Sequence, residues 1–368
     1  MASRIVLFGA TGYTGDLTAR ALVARGHRPV LAGRTEAKVR ALADELGGLD
    51  HAVADVDRPQ SVADLVSAGD VLVTTVGPFS RWGEPALRAV VEKGAHYLDS
   101  TGEPPFIREV FETWGPRAKQ SGVGLLTAMG YDYVPGNLAG ALALRDAGPK
   151  ATSVDVGYFA VGPLSLAGVS GGTRASLTGV VFEEGYRRRD GLLVRERAGL
   201  RYRRFAVGGK QRAALSLGGS EHYTLPLVHP GLRDVNVYLG WFGPATPVTS
   251  VMSRTAGRLA ALPPAKRAIG AVLGRAFKGS TGGPDEPTRA KFTTVAVGEA
   301  RDAAGYLLTR AVVEGVNPYD FTGRMLAWGA DRILAGDLQG TGAMGPVDAF
   351  TLDVLADGAR EIGLQRVE

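Results

Sequence analysis

Short apolar runs alternate with amphipathic segments over about the first 130 residues of the chain. The first run, at residues 4–8, is followed by glycines and then by the amphipathic segment 16–25. Apolar, partly β-branched runs of this length are typical of strands buried on both faces of a parallel sheet, and the amphipathic segments between them are typical of helices. The alternation therefore predicts an α/β fold with a doubly wound parallel sheet of six strands. Four of them are expected at 4–8, 29–34, 51–55 and 124–129, the fourth strand with its exit loop at 70–79, and a short fifth strand followed by a polar loop at 96–103.

Later in the chain the pattern changes, and apolar and polar residues alternate one by one. Residues 152–161, 291–300 and 305–314 alternate in this way, which is typical of strands with one face exposed to water. The short gap between the last two strands predicts a hairpin, and residues 318–335 and 346–362 predict amphipathic helices. We therefore expect three segments: a parallel-sheet domain at 1–133, an α+β substrate or dimerisation domain with a mainly antiparallel sheet at 134–320, and C-terminal helices at 321–368 that pack on the first domain.

Three glycines connect the first strand to the first helix with the spacing G-x-x-G-x-x-G. Gly9 permits a tight turn, Gly12 lets backbone N–H groups approach a pyrophosphate, and Gly15 lets the helix pack close to the strand. The spacing is a variant of the dinucleotide-binding fingerprint, which is weak by itself and gains its strength from a strand before it and a helix after it. We therefore expect a Rossmann-like domain that binds a dinucleotide cofactor.

The end of the second predicted strand indicates which dinucleotide is bound. Chains that bind NAD usually place Asp or Glu here for the ribose 2′-hydroxyl, whereas this strand ends in Gly33 and Arg34. A guanidinium suits a 2′-phosphate, and Lys38 supplies a second cation one helical turn later. These residues predict NADP(H) as the cofactor. The alternative is an ordinary strand–helix turn followed by a solvated arginine.

Two further strand ends complete the predicted cofactor site. Asp55 and Val56 close the third strand, where dinucleotide-binding domains contact the adenine; the alternative for Asp55 is a cap of a helix at 61–66. Ligands of open parallel sheets lie at the carboxyl ends of the strands, so the exit loop of the fourth strand is expected to line the ribose and the nicotinamide. That loop consists of Val76, Gly77, Pro78 and Phe79.

Five segments carry recognisable motifs: G-A-T-G-Y-T-G at 9–15, L-A-G-R at 31–34, G-P-F-S-R-W-G-E-P at 77–85, Y-L-D-S-T-G-E at 97–103 and G-Y-D-Y-V-P-G at 130–136. Together they resemble the saccharopine dehydrogenase-like oxidoreductases, in particular the bacterial branch that includes mycobacterial trans-acting enoyl reductases of lipid synthesis. The resemblance implies an NADP(H)-dependent oxidoreductase with Thr11, Tyr13 and Thr14 of the turn among the cofactor contacts.

The last of these motifs departs from the family pattern. The family usually reads G-F-D-S-V-P-S-D, whereas here Tyr133 replaces the serine and Gly136 and Asn137 replace Ser-Asp. We therefore expect a substrate that differs from those of the better-known members.

Candidates for the reaction itself lie near the expected edge of the sheet. A nicotinamide supplies the hydride, so the protein has to position an acceptor and donate a proton. The candidate catalytic residues are Tyr131, Tyr133 and Tyr97, together with Asp132, and of these Tyr133 or Tyr131 is expected to face the substrate. Asp132 has an alternative role as a cap of the helix that Pro135 begins, and Tyr97 has one as a packed strand residue.

Three charged residues are candidates for substrate binding. Asp99 and Glu103 lie next to the proposed donors, and Arg174 follows a pair of glycines. The guanidinium of Arg174 offers a bidentate fork for a carboxylate or a phosphate; the alternative is an arginine on a helix surface. No metal site is expected, because the five histidines have no metal-ligand spacing.

Composition excludes several other classes of protein. The chain of 368 residues has no cysteine, which excludes disulfides, thiolate metal sites and a cysteine nucleophile, and which fits the cytoplasm. No apolar run approaches the length of a membrane span. The net charge of +5 is accompanied by no nucleic-acid recognition motif, so no nucleic-acid partner is expected.

The segment 254–278 alternates basic and apolar residues, which predicts an amphipathic helix. This helix is expected either to be a solvated excursion or lid, or to make a peripheral contact with an acidic carrier protein or a membrane surface.

These observations lead to one functional hypothesis and two alternatives. The hypothesis is an NADPH-dependent reductase of an activated C=C or C=N bond in lipid, polyketide or other specialised metabolism, acting on a small or carrier-bound molecule. The alternatives are a saccharopine-type amino-acid dehydrogenase and a non-catalytic NADP(H)-sensing protein. A homodimer is the expected assembly.

Overall fold

The computed structural model describes residues 3–162, 184–241, 246, 250 and 282–368. The chain divides into two units, of which the first consists of Met1–Val134 and Pro318–Leu364 and the second of Pro135–Asn317 and Gln365–Glu368. Each unit has its own sheet. The described strands in chain order are β1 (Ile5–Phe8), β2 (Val30–Gly33), β3 (His51–Val53), β4 (Val71–Thr74), β5 (His96–Asp99), β6 (Gly124–Leu126), β7 (Ser153–Val161), β8 (Glu184–Arg189), β9 (Leu192–Arg197), β10 (Tyr202–Val207), β11 (Lys210–Leu217), β12 (Asp234–Leu239), β13 (Thr293–Arg301), β14 (Leu307–Gly315), β15 (Gly342–Met344) and β16 (Leu364–Arg366).

Helices connect most of these strands, and within the described ranges none is long and apolar enough to cross a bilayer. A π-helical turn at Val110–Trp114 and a 3-10 turn at Gly148–Lys150 accompany the α-helices. The described α-helices are α1 (Tyr13–Ala24), α2 (Glu36–Glu45), α3 (Pro59–Ala63), α4 (Phe79–Trp82), α5 (Glu84–Lys93), α6 (Pro104–Glu109), α7 (Gly115–Ser121), α8 (Val134–Ala147), α9 (Glu221–Val228), α10 (Glu286–Arg289), α11 (Pro318–Leu334), α12 (Pro346–Phe350) and α13 (Leu352–Glu361).

The first unit is built on a seven-stranded parallel sheet with the order β15-β6-β5-β4-β1-β2-β3. The central strands β1, β2 and β4 consist of buried residues only, as expected where both faces of a parallel sheet are covered. Val6 of β1 lies opposite Val30 on one side and Leu72 on the other. The predicted Rossmann-like sheet is thus confirmed. The sequence pattern does not reveal β15, because its three residues form no distinct apolar run.

The C-terminal helices belong to the same unit, which confirms their predicted return. Helix α11 packs on α1 so closely that a Cβ added to Gly323 would lie 3.0 Å from that of Leu17. Trp328 of α11 packs edge-to-face on Phe350 of α12, with ring centroids 4.9 Å apart. The single helix expected at 346–362 is instead two helices, because Thr351 between them has a φ of +67° and interrupts the helical backbone.

The second unit contains a mixed, mainly antiparallel sheet with the order β10-β11-β12-β7-β13-β14-β16, to which β8 and β9 attach beside β12. Strand β7 is antiparallel to β13 and parallel to β12. The predicted hairpin is confirmed as β13 and β14. Helix α8 lies on one face, where a Cβ on Gly298 would fall 2.3 Å from the carbonyl oxygen of Ala139. The opposite face carries an apolar cluster that includes Phe159 and Phe205.

Candidate active site

The carboxyl ends of the parallel strands bring the predicted site residues of the first unit to one edge of the sheet. Strand β1 lies between β2 and β4. Strands β2 and β3 follow on one side of it and strands β4 to β6 on the other, so the order of the strands reverses at β1. Open α/β sheets bind their ligands at such a reversal of strand order. The loops that follow β1 to β6 all emerge along this edge.

Glycines shape the turn after β1. Gly9 has a φ of +90°, and a Cβ there would lie 2.7 Å from Oγ1 of Thr75. Gly15 is enclosed even more tightly, since its Cβ would fall 2.1 Å from the carbonyl oxygen of Gly9. Gly12 is exposed, and its Cβ would meet that same oxygen at 3.3 Å. Gly9 and Gly15 therefore hold the turn against its neighbours, whereas Gly12 keeps its outer side open.

Helix α1 begins at this turn with Gly12 as its N-cap. The N–H of Asp16 donates to the carbonyl oxygen of Gly12 at 2.8 Å. The glycine turn is therefore the N-terminal end of α1, where the first N–H groups of a helix point away from its own carbonyl acceptors. Such N–H groups and the positive end of the helix dipole favour a phosphate. With Thr11 exposed at its entrance, the turn fits the pyrophosphate of a dinucleotide.

The end of β2 lies directly against the glycine turn. The N–H of Gly9 donates to the carbonyl oxygen of Ala32 at 2.9 Å. At the next position, a Cβ on Gly33 would lie 3.1 Å from the side chain of Val39, so Gly33 allows α2 to approach the strand. Arg34 follows at the point where the chain leaves the sheet. The arrangement therefore places Arg34 beside the predicted phosphate site.

Arg34 and Lys38 are cations for which the described part of the chain supplies no counter-charge. Both are exposed, and among the residues that the structure describes neither has a hydrogen-bond or ion-pair partner for its side chain. Arg40, which is also on α2, is by contrast paired with Glu36 at 2.5 Å. An exposed guanidinium and ammonium that no carboxylate neutralises are available to an anionic ligand.

Asp55 begins the turn that follows β3, since its carbonyl oxygen accepts the N–H of Arg58 at 2.9 Å. Its carboxylate accepts the N–H of Asp57 at 3.1 Å, and its own N–H donates to Oγ of Ser61 at 3.0 Å. The alternative role as a helix cap is wrong, because α3 begins at Pro59 with Arg58 as its N-cap. Val56 is partly buried and packs against the apolar core. The adenine contact of Asp55 and Val56 stays a prediction.

Glu103 holds the loop after β4. One of its carboxylate oxygens accepts the N–H of Phe79 at 2.7 Å, and the other accepts the N–H of Ser80 at 3.0 Å. These two N–H groups open the short helix α4, which follows Val76, Gly77 and Pro78. Glu103, predicted as a substrate contact, therefore binds the backbone of the loop that is predicted to line the nicotinamide.

Asp99 joins the ends of β5 and β6. It is fully buried, and its carboxylate accepts the N–H of Thr101 at 2.8 Å, the N–H of Ala128 at 2.8 Å and the hydroxyl of Thr127 at 2.9 Å. Burial raises the pKa of Asp99 to about 6, although these three donors act in the opposite direction. The carboxylate of Asp99 is thus committed to shaping the two loops, and substrate contact by Asp99 stays a prediction.

The loop after β6 contains three of the predicted catalytic residues. Tyr131 and Tyr133 are almost fully buried, with the ring of Tyr131 6.4 Å from that of Phe321 and the hydroxyl of Tyr133 3.4 Å from the carbonyl oxygen of Gly102. Asp132 retains some exposed surface, and among the described residues no group donates a hydrogen bond to its carboxyl. The protein around Asp132 is nevertheless dense enough that burial raises its pKa to about 6.

Tyr97, the fourth predicted catalytic residue, lies within β5. It is fully buried and belongs to the apolar core of the first unit. Burial, together with the nearby carboxylate of Asp99, raises the pKa of Tyr97 well above its ordinary value. This position is that of a packed strand residue, and a catalytic role for Tyr97 stays a prediction.

The second unit gives a physical reason for the unusual end of the last motif. A Cβ on Gly136 would lie 2.0 Å from the hydroxyl oxygen of Tyr158 and 2.6 Å from Oε1 of Glu221, so the serine of the family pattern does not fit here. Asn137 donates to Oγ of Ser220 at 2.9 Å and accepts the hydroxyl of Thr224. An aspartate in place of Asn137 would lack that amide donor.

Two of the remaining predicted features cannot be located in the described part of the chain. Arg174 and the basic segment 254–278 lie outside the described residues. In the part of the chain that is described, no group of three or more His, Cys, Asp and Glu side chains could hold a metal ion.

Three residues that sequence reasoning missed also contribute to the edge of the sheet. One is Thr75, whose hydroxyl donates to the carbonyl oxygen of Gly9 at 3.1 Å, and the others are Tyr319 and Thr322 at the start of α11.

Comparison with known proteins agrees with a dinucleotide-binding site in the first unit. Residues 5–126 match the family described as the saccharopine dehydrogenase NADP binding domain. A segment of 140 residues is 37% identical to a trans-acting enoyl reductase of Mycobacterium ulcerans and covers 36% of this chain and 34% of that protein. The corresponding protein of Mycobacterium bovis is 35% identical over 140 residues, with the same coverage. The chain thus spans about a third of the length of these relatives.

A solved structure extends the similarity of fold to the whole chain. Apo saccharopine dehydrogenase (L-Glu forming) from Saccharomyces cerevisiae superposes with a TM-score of 0.62, over 99% of both chains, at 13% sequence identity. Identity this low establishes the fold alone, whereas the family match rests on the residues of the glycine turn and the parallel sheet. Residues 5–126 therefore form a domain of the saccharopine dehydrogenase NADP-binding family.

Proposed function

We propose that this protein is an NADPH-dependent reductase of an activated C=C or C=N bond in a small or carrier-bound molecule. The family match supports oxidoreductase chemistry, and the partial relatives named enoyl reductases favour a C=C bond. The observation that carries the choice of cofactor is the guanidinium of Arg34 at the end of β2, which is exposed and is paired with no carboxylate of the described residues. An acidic residue at this position would repel a 2′-phosphate, whereas a guanidinium binds it with charge-assisted hydrogen bonds.

Other residues of the first unit would hold the rest of the cofactor. The glycine turn would bind the pyrophosphate through N–H groups at the start of α1, and Lys38 would add a second charge at the 2′-phosphate. The loop from Val76 to Phe79 would line the ribose and the nicotinamide, in the position that Glu103 gives it. When bound, the reduced nicotinamide supplies a hydride.

The protein must then supply a proton, and we assign this role to Asp132. Its carboxyl is partly exposed, no described residue donates a hydrogen bond to it, and its raised pKa keeps a large fraction protonated near pH 6. Tyr131 and Tyr133 on either side are buried, so they would exclude water and orient the carboxyl. Asp99 and Glu103 act as positioning residues in this scheme, because their carboxylates bind backbone N–H groups of the neighbouring loops.

The decisive experiment compares two arginine-to-aspartate variants for binding of NADPH and NADH. Arg34→Asp should raise the Kd for NADPH about 10- to 100-fold, because it removes charge-assisted hydrogen bonds to the 2′-phosphate, and should leave the Kd for NADH nearly unchanged. Arg40→Asp is the control, since Arg40 carries the same charge on the same helix but is paired with Glu36. Equal NADPH preference in the wild-type protein and Arg34→Asp would rule out the proposed cofactor site.

A second experiment addresses the reaction. Oxidation of NADPH is followed with enoyl thioesters, both free and bound to a carrier protein, and with cyclic imines. Turnover of either class supports the reductase and identifies the bond. Reduction of NADP+ in the presence of saccharopine would instead favour the amino-acid dehydrogenase, and tight binding of NADPH without oxidation by any of these compounds would favour a sensor.

A further inference from the structure

The first turn of α11 contacts two loops of the candidate site at once. These loops are the glycine turn after β1 and the loop after β6, which carry the proposed cofactor and proton-donor groups. Helix α11 begins at Pro318, far beyond both loops in the sequence, yet it belongs to the same unit. The two contacts are made by neighbouring residues of the helix.

Tyr319 makes the contact with the glycine turn. Its ring packs edge-to-face on that of Tyr13, with centroids 5.3 Å apart and planes at 81°. This geometry is a favourable arrangement for two aromatic rings. Four residues later, Gly323 brings the helix into contact with the backbone of Leu17 on α1. The start of α11 is therefore fixed relative to the phosphate-binding end of α1.

Thr322 makes the contact with the loop after β6. Its Oγ1 accepts the N–H of Tyr131 at 3.0 Å and donates its own proton to the carbonyl oxygen of Pro318 at 2.8 Å. Because the donated proton fixes the orientation of the hydroxyl, a lone pair remains directed at Tyr131. The fit is close, since a Cβ on Gly130 would lie 3.1 Å from Cγ2 of Thr322.

We propose that Thr322 is a positioning residue for the proton donor, and that the first turn of α11 transmits the state of the cofactor turn to the loop after β6. Thr322 fixes the backbone at Tyr131, and this backbone determines where the adjacent carboxyl of Asp132 lies. Tyr319 connects the same helical turn to Tyr13 in the cofactor turn. Binding of the dinucleotide therefore orders the Asp132 loop through the helix. This inference rests on the proposed function, because it requires a dinucleotide at the glycine turn.

Hydrogen–deuterium exchange of the full chain tests the proposal without a known substrate. In the free protein, Thr322→Val should speed exchange of the Tyr131 amide about tenfold, because it removes the acceptor at nearly constant volume. Thr322→Ser retains the hydroxyl and should exchange at the wild-type rate. Saturating NADP+ should slow exchange both in the glycine turn and at residues 129–133 of the wild-type protein.

Tyr319 variants separate coupling through the helix from direct contact with the cofactor. With Tyr319→Ala, NADP+ should still protect the glycine turn, but its protection of residues 129–133 should be largely lost. Tyr319→Phe retains the ring and should behave as the wild-type protein. Full protection of 129–133 in Tyr319→Ala, or unchanged Tyr131 exchange in Thr322→Val, would overturn the proposal.

The same data distinguish failure of this inference from failure of the proposed function. If neither NADP+ nor NAD+ protects the glycine turn of the wild-type protein, both the cofactor site and the coupling are overturned. If NADP+ protects the turn and not residues 129–133, the cofactor site stands and the coupling is overturned.

Discussion

The two halves of the candidate site are held by different kinds of interaction. On the cofactor side, the glycine turn after β1 is held by backbone packing, with Gly15 so enclosed that a Cβ would lie 2.1 Å from the carbonyl oxygen of Gly9. On the reaction side, the loops after β4, β5 and β6 are held by the carboxylates of Asp99 and Glu103, which accept backbone N–H groups. The first kind of interaction depends on the absence of side chains, and the second on carboxylates that accept backbone N–H groups.

This difference predicts that the two halves respond to different substitutions. Packing of a glycine against backbone tolerates no added atom, because the backbone cannot move aside without displacing the helix. A buried carboxylate tolerates changes of volume better than changes of charge and hydrogen bonding, since its donors remain unsatisfied when it is removed. We therefore expect stability to change most in Gly15→Ala, less in Asp99→Asn and least in Asp132→Asn.

Gly15→Ala should have the largest effect. The added methyl group would overlap the carbonyl oxygen of Gly9, so α1 must move away from β1, at a cost of about 3 kcal/mol or more in the free energy of unfolding. Binding of NADPH should be lost with it. Urea denaturation and fluorescence titration with NADPH measure the two effects.

Gly12→Ala is the matched comparison within the same turn. Its Cβ would be 3.3 Å from the carbonyl oxygen of Gly9 and otherwise exposed, so it should cost about 1 kcal/mol or less in stability while still obstructing the phosphate. If Gly15→Ala proved as stable as Gly12→Ala, close packing at Gly15 would not be what holds the turn.

Asp99→Asn should have the next largest effect, and on the other half of the site. The amide oxygen replaces only one of the two oxygens that accept these three donors. The cost of the unsatisfied donors should exceed the ionisation penalty that is removed with the carboxylate, so the variant should lose about 2 kcal/mol in the free energy of unfolding. The affinity for NADPH should change little, because the glycine turn is held separately. Thr127→Val removes a single donor to Asp99 and should cost about 1 kcal/mol. A large loss of NADPH affinity in Asp99→Asn would contradict the separation of the two halves.

The same contrast explains which parts of the molecule could be predicted from the sequence. The glycine turn and Arg34 are local, since their roles follow from the residues immediately before and after them. Glu103 reaches back to Phe79 and Thr322 reaches back to Tyr131, and such contacts between distant residues leave no trace in periodicity or spacing. Sequence reasoning therefore identified Glu103 and Asp99 as important but assigned them to the substrate rather than to the loops. It could not identify Tyr319 or Thr322 at all, because α11 shows only an amphipathic pattern.

The smallest expected effect on stability comes from Asp132→Asn, and its sign distinguishes Asp132 from Asp99. Burial raises the pKa of Asp132 to about 6, above the value of about 3.9 for an unfolded chain, so the folded state binds this proton more tightly. Ionisation therefore destabilises the folded protein: the penalty is absent below about pH 4, grows as the pH rises to about 6 and is complete above it. Discounted for partial exposure, the penalty is about 1 kcal/mol.

Asp132→Asn removes this penalty, so it should be about 1 kcal/mol more stable than the wild-type protein at pH 8 and equal to it at pH 4. Urea denaturation at the two pH values measures this difference, and groups common to both proteins cancel in the comparison. The rate of NADPH oxidation with an accepted substrate should fall about 100-fold, because a general acid is lost. A gain in stability combined with a loss of activity is the pattern expected of a catalytic group kept in an unfavourable environment. A loss of stability at pH 8 would instead identify Asp132 as a structural carboxylate like Asp99, and the proton would have to come from another group.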